Sequence, residues 1–403
     1  VSRRAVLWIG FAVVHVLLVS VEFLTGRSAA WDVDQLYRWW ADLVVAGVQI
    51  PGITEAWVYP AFALVPIMLA RLLATVVDYT FAWAVLVTAV DALAFALLIG
   101  NAASRGRRAA AWFWLLAMTA LGAVGVFRLD ALTVPLAVAG GLWLVGRPWI
   151  GSALLAAATW LKVWPAAMLA AAFIAVRRRW AVLGGAVAVS ALIVLAVVAA
   201  GGAPYLLSFV GDQTTRGLQI EAPVSTVYLW LAVLGDPGAW VYYDADMITF
   251  QITGPNVDPV IAAMTPLMAV AMLAVAALGA AAAWRGARFA ALFPPLALSL
   301  VLAFIVFNKV GSPQYMTWLI APLVIGLVLD RGHWRLPALA TLFTLALTQL
   351  IFPWFYDTLL AVSPLMVAVI TVRNALLVGL FGWTVVRLAL VTAAAVRTRT
   401  PVP

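Results

Sequence analysis

The 403-residue chain contains no cysteine, which removes disulfides and thiolate metal sites from consideration. Histidine is nearly as scarce: His15 and His333 stand far apart, so a histidine-based metal centre is not expected. Charge is the third shortage. Only 10% of residues are Asp, Glu, Lys or Arg, against 66% hydrophobic, and the mean hydropathy is +1.09. A soluble domain draws about a quarter of its residues from those four types, so this composition suits a bilayer as solvent. The net charge of +8 does not point to nucleic acid, because the arginines are scattered in short groups between apolar runs. No stretch has the composition of a soluble domain, and 1–403 reads as a single polytopic transmembrane domain.

The apolar runs lie near 5–25, 60–77, 80–100, 110–127, 131–146, 149–176, 180–200, 259–284, 289–307, 317–329, 336–353 and 365–386. A helix needs about 20 residues to cross the hydrocarbon core. The first run follows Ser2-Arg3-Arg4, is too long for a signal-peptide core and lacks a small-x-small cleavage site, so it reads as a retained anchor. Arginine clusters mark cytoplasmic loops: Arg3/Arg4, Arg105/Arg107/Arg108, Arg147, Arg177–Arg179, Arg285/Arg288, Arg331/Arg335, and Arg387 with Arg397/Arg399.

Counting every run as one crossing puts some of these clusters outside, and two adjustments restore the parity. Run 60–77 opens with Pro60, holds Arg71 and stops at Asp78, as an interfacial helix does. Run 149–176 carries Lys162-Val163-Trp164-Pro165 near its middle, where a proline interrupts helical hydrogen bonding, and it reads as two short helices meeting there. The expected architecture is an all-α polytopic membrane protein with about twelve transmembrane helices and both termini cytoplasmic. Its first external loop is 26–79, with juxtamembrane helices, and a long external loop runs over 202–258 without an evident helix. Most acidic residues, Asp212 among them, then fall outside.

Polar residues gather on that outer face. Asp32-Val33-Asp34 follows the first crossing, and in a helix Asp34, Tyr37 and Arg38 would share a face. Trp31, Trp39 and Trp40 suit a headgroup belt or stacking on a sugar ring; a plain interfacial loop reads the same way. Arg128 and Asp130 of FRLD stand at the outer end of a helix pair, as substrate ligands or as a local ion pair. Lys162 and Lys309 are the only lysines, and both map to outer ends of membrane segments. An ionisable residue there is a functional-site candidate, and a phosphate is the partner expected for both, with snorkelling as the plain alternative. The long loop holds Arg216, Gln219 and Glu221 in TRGLQIEAP; Asn308, Lys309, Ser312, Gln314 and Tyr315 crowd into NKVGSPQYMTW. Asp244-Ala245-Asp246 could mimic a metal-binding pair, but a solvated loop face is the favoured reading, and neither metal nor cofactor is expected.

WDVDQLYRWW with WVYPAFALVP, FRLDALTVPLAVAG, ATWLKVWPAA, RGLQIEAP and NKVGSPQYMTW resemble, in order, the actinobacterial membrane proteins grouped as glycosyltransferase family 87. RGLQIE and SPQY are the most specific of these segments. That family has the GT-C fold and includes polyprenyl-phosphate-mannose-dependent α-mannosyltransferases. Where the family often reads YPP, this chain has Tyr59-Pro60-Ala61, and its acid-to-tyrosine spacing is unusual.

The resemblance implies sugar transfer from a polyprenyl-phosphate donor to a lipid or glycan acceptor outside a bacterial plasma membrane. Asp32 or Asp34 would be the general base on the acceptor hydroxyl, and Arg128, Lys162, Arg216 and Lys309 would hold the donor phosphate. Tyr37, Arg38, Trp39, Tyr59, Asp130, Gln219, Glu221, Gln314 and Tyr315 are the further substrate-binding candidates. Membrane lipids, and no nucleic acid, complete the expected partners. The rival classes are a transporter or flippase for a lipid-linked sugar, whose inverted repeats are not visible here, and a non-catalytic subunit of an envelope-assembly complex.

Overall fold

The computed structural model describes residues 2–26, 29–211 and 216–397; Asp212 and Arg399 lie outside them. Among these residues the chain is mostly helical, and eight helices are long and apolar enough to cross a membrane. The expected class, an α-helical polytopic membrane protein, is the observed one. The chain divides into two compact units, Val1–Thr215 and Arg216–Pro403.

In the first unit α1 (Arg3–Thr25) starts under Ser2, whose Oγ accepts from the Ala5 N–H at 3.2 Å, and stops at Gly26, where φ is +59°. A π-helical turn, Asp32–Tyr37, runs into α2 (Arg38–Val45), and a 3-10 turn at Ala61–Ala63 leads into α3 (Leu64–Leu73). Asp78 then caps α4 (Tyr79–Ile99), and Ser104 caps α5 (Arg105–Leu121). The chain continues through α6 (Asp130–Trp143), α7 (Pro148–Leu161), α8 (Pro165–Ala175), α9 (Arg179–Ala199) and the short α10 (Ser208–Gly211).

The break expected in run 149–176 is present. Lys162 is extended, at φ −157° and ψ 138°, and Pro165 opens α8 at a position whose N–H no helix needs. Glycines let these helices meet backbone to backbone, as in membrane bundles. A Cβ on Gly151 would lie 2.7 Å from the Gly140 carbonyl oxygen, and one on Gly185 would lie 2.1 Å from that of Trp149.

In the second unit α11 (Ser225–Val233) precedes an antiparallel hairpin of β1 (Trp240–Asp244) and β2 (Thr249–Thr253), with Tyr242 opposite Gln251. Then follow α12 (Val257–Trp284), α13 (Phe289–Val306), α14 (Ile320–Leu329), α15 (Arg331–Gln349), α16 (Tyr356–Leu360) and α17 (Pro364–Arg397). The apolar stretch of α13 is 78% buried and that of α12 only 11%, so α13 is the core helix of this unit and α12 is largely exposed. The stretch 202–258, expected to lack a helix, thus holds the short α10, α11 and a hairpin. Nine-residue helices and five-residue strands are too short to stand out beside membrane-length runs, although WVYYD and TFQIT carry the aromatic and β-branched residues that strands favour.

Candidate functional site

Three pieces of the first unit converge on two ion pairs. The Ala30 N–H donates to Glu22 Oε1 at 2.7 Å, and Asp32 stands at the start of the π-helical turn. The segment between α5 and α6 contributes Arg128, 5% exposed, whose Nε lies 3.3 Å from Asp32 Oδ2. The same guanidinium donates to the carbonyls of Ala29 and Phe127. Two residues on, Asp130 opens α6 with its carboxylate fully buried, and Lys162, at the break between α7 and α8, donates to it at 2.6 Å. Asp32 with Arg128 and Asp130 with Lys162 thus form two ion pairs, and Asp32, Arg128 and Asp130 all act electrostatically on Tyr37. Each buried ion has an opposite charge beside it, the condition under which such burial is tolerated.

Tyrosines seal the cluster. Tyr37 is fully buried; its hydroxyl accepts from the Leu129 N–H at 3.3 Å, and its ring lies 5.1 Å from that of Trp83. Tyr59 sits with its ring 5.5 Å from Lys162 Nζ and edge-on to Trp40 and Trp57. Burial, then the neighbouring Tyr59 and Asp32, pushes the Tyr37 phenol well above the usual range. Burial likewise raises Tyr59, against the pull of Lys162. Both phenols therefore act as neutral hydrogen-bonding groups.

Exposure separates the four charges by role. The Asp32 side chain is 22% exposed, against 5% for Arg128, 0% for Asp130 and 13% for Lys162. Asp32 alone combines an accessible carboxylate with a buried cation fixing its orientation.

The expected common face of Asp34, Tyr37 and Arg38 does not form. The π-helical turn bonds the Arg38 N–H to the Val33 carbonyl, five residues back. This change of pitch turns Tyr37 inward and leaves Asp34 and Arg38 exposed, 3.8 Å apart. Asp34 also accepts from Gln35 Nε2 at 2.6 Å and from Thr80 Oγ1 at 3.2 Å, away from the two buried ion pairs. Trp39 is 53% exposed.

The remaining candidates lie in the second unit. The Leu218 carbonyl accepts from the Ile252 N–H at 2.9 Å and the Ile220 N–H donates to Phe250 at 3.2 Å, so this segment adds itself to the edge of β2. The Gln219 N–H donates to the Lys309 carbonyl at 3.0 Å, joining RGLQIE to the NKVG turn. Glu221 is buried and pairs with Arg373 of α17 at 2.7 Å; burial pushes its carboxyl up, and Arg373 draws it back. Gln314 accepts from Ser312 Oγ at 2.7 Å, and Tyr315 stacks on Trp318 at 4.0 Å. Asp244 Oδ1 accepts from the N–H groups of Asp246 and Met247, so the acid pair shapes the hairpin turn.

Two polar pairs escaped the sequence reading. Arg373 with Asn374 lies inside the last apolar run, and His15 Nε2 lies 3.0 Å from Asp91 Oδ2, both side chains buried between α1 and α4. The available signal was an ionisable residue within a membrane-length helix. No protein-family model, curated protein or solved structure matches the chain.

Proposed function

We propose that the protein is a membrane glycosyltransferase of the GT-C kind, moving a sugar from a polyprenyl-phosphate donor to a lipid or glycan acceptor on the outer face of a bacterial plasma membrane of actinobacterial type. The observation that carries this reading is the position of Asp32: an accessible carboxylate held by buried Arg128. It stands beside the short paired helices on either side of Lys162.

In the proposed reaction Asp32 takes the proton of the acceptor hydroxyl as that oxygen attacks the anomeric carbon. The bond from this carbon to the phosphate oxygen breaks, the configuration inverts, and polyprenyl phosphate leaves with the bonding electrons. Mannose is the sugar that the family resemblance favours. The finer topology belongs to the same proposal. The eight long helices, with Asp130–Trp143, Pro148–Leu161, Pro165–Ala175 and Pro313–Leu329 as shorter crossings and Ala61–Leu73 interfacial, give about twelve crossings.

The test is transfer of labelled mannose from polyprenyl-phosphate mannose to envelope lipid extract by the purified full chain in detergent. Labelled lipid product and release of polyprenyl phosphate are expected. Absence of both with wild-type protein, across the common polyprenyl-phosphate hexoses, would rule the activity out.

A further inference from the structure

Between Asp130 and Asp212 the sequence has no acidic residue, yet it holds Arg147, Arg177, Arg178 and Arg179. Arg147 stands immediately before α7, and the other three run into α9. Contacts between these two helices advance together along both. A Cβ on Gly185 would meet the Trp149 carbonyl oxygen, and further along Trp160 Nε1–H donates to Ser190 Oγ at 3.0 Å. The helices therefore run in the same direction and begin at the same end of the first unit. Measured from the Trp149–Gly185 approach, Arg147 lies about 3 Å and Arg179 about 9 Å of helical rise towards that end.

All four arginines are exposed, and among the described residues none of them enters an ion pair. Two arginines at the start of α5 are placed differently. Arg107 donates to the carbonyls of Leu97 and Leu98 at 2.9 Å, and Arg108 to those of Ala102 and Ala103 at 2.7 Å, so backbone occupies them. Neither α7 nor α9 has a side-chain N-cap, and the first N–H groups of both add to the same positive end. Trp149 and Trp180, 59% and 74% exposed, stand in the first turns beside the arginines. Indoles placed at the ends of apolar helices mark the headgroup level of a bilayer.

We propose that the paired starts of α7 and α9 bind the headgroup of an anionic phospholipid. The phosphodiester lies on Arg147 and Arg177–Arg179, whose guanidinium forks suit its oxygens, and the two indoles flank the glycerol region. Four cations with no acid in the surrounding 80 residues require an anion from outside the segment. The bilayer is its source, because the tryptophans hold these cations at the depth of the headgroups. The site stands on the first unit alone and does not depend on sugar transfer.

The test uses the full chain in detergent, with bound lipid counted by native mass spectrometry as dioleoyl phosphatidylglycerol or dioleoyl phosphatidylcholine is added. Saturable binding is expected for phosphatidylglycerol, about tenfold or more tighter than for phosphatidylcholine. Arg147→Gln and Arg178→Gln should each weaken it about fivefold, the worth of one basic side chain at an anionic surface, and the double variant about 25-fold. Arg147→Lys should keep most of the affinity, because it keeps the charge. Arg105→Gln removes the same charge from the first turn of α5 and should bind within about twofold of wild type. Millimolar inorganic phosphate should leave the lipid in place. The proposal is overturned when the two phospholipids bind alike, or when Arg147→Gln and Arg178→Gln bind like wild type. It is equally overturned when Arg105→Gln weakens binding as much as they do, which shows a diffuse charge effect, or when inorganic phosphate displaces the lipid, which shows a free-anion site. No sugar donor enters these measurements, so their failure leaves the catalytic reading to its own assay.

Discussion

Lys162 donates to Asp130 across 2.6 Å, at the point where α7 ends and before α8 begins. The carboxylate is fully buried and the ammonium nearly so. Removing the lysine alone leaves a fully buried carboxylate without its ammonium. Lys162→Met should therefore lower stability by about 3–5 kcal/mol, and Asp130→Asn in the same chain should restore most of it. Thermal unfolding in detergent reads the comparison. Equal melting of the single and double variants would show that the pair does not support the fold.

Asp32→Asn keeps the shape of the side chain and removes its basicity. Turnover should fall about 10²- to 10⁴-fold, with the chain still eluting as a monodisperse species. Asp34→Asn disturbs a surface set of Gln35, Thr80 and Arg38 and should stay within a few-fold of wild type. The reverse order would move the base to Asp34.

Gly311 and Gly379 respond oppositely to one methyl group. Gly311→Ala places a Cβ against the Ala222 backbone nitrogen and should cost about 1–3 kcal/mol or more. Gly379 is an exposed position of α17 with nothing near its Cβ, so Gly379→Ala should stabilise by about 0.5–1 kcal/mol. Melting temperatures of the two variants check both signs.

The cysteine-free chain suits labelling with a membrane-impermeant thiol reagent. Ala56→Cys, in the loop proposed to be external, should react in intact cells. Ala103→Cys, beside the Arg105–Arg108 cluster, should react only after permeabilisation. Both positions are exposed, and neither side chain caps a helix. Labelling in the opposite sense would invert the proposed topology.

The Lys309 ammonium, depressed by burial and then by the Arg216 charge, sets a pH dependence of stability. Above the folded-state value the unfolded chain holds more protons on this residue than the folded one, so stability should rise with pH up to the ordinary lysine range. Lys309→Arg should remove the trend, because a guanidinium does not titrate there. Melting temperatures of the two chains followed against pH check the sign.

Composition alone determined the solvent and the fold class of this protein, because covering a water-exposed surface needs charges that the chain does not have. Pro165 after Lys162 likewise determined the break between α7 and α8, since proline acts on its own turn of helix. Only the tertiary structure decided which charges meet. Asp32 with Arg128, Asp130 with Lys162, and Glu221 with Arg373 pair across 96, 32 and 152 positions of sequence, and no local pattern encodes a partner so remote. The π-helical turn at Asp32–Tyr37 shows the same limit at short range. Tyr37 faces inward because Leu129 and Trp83 receive it, and the free energy of that burial overrides the ordinary 3.6-residue period that its sequence neighbours would follow.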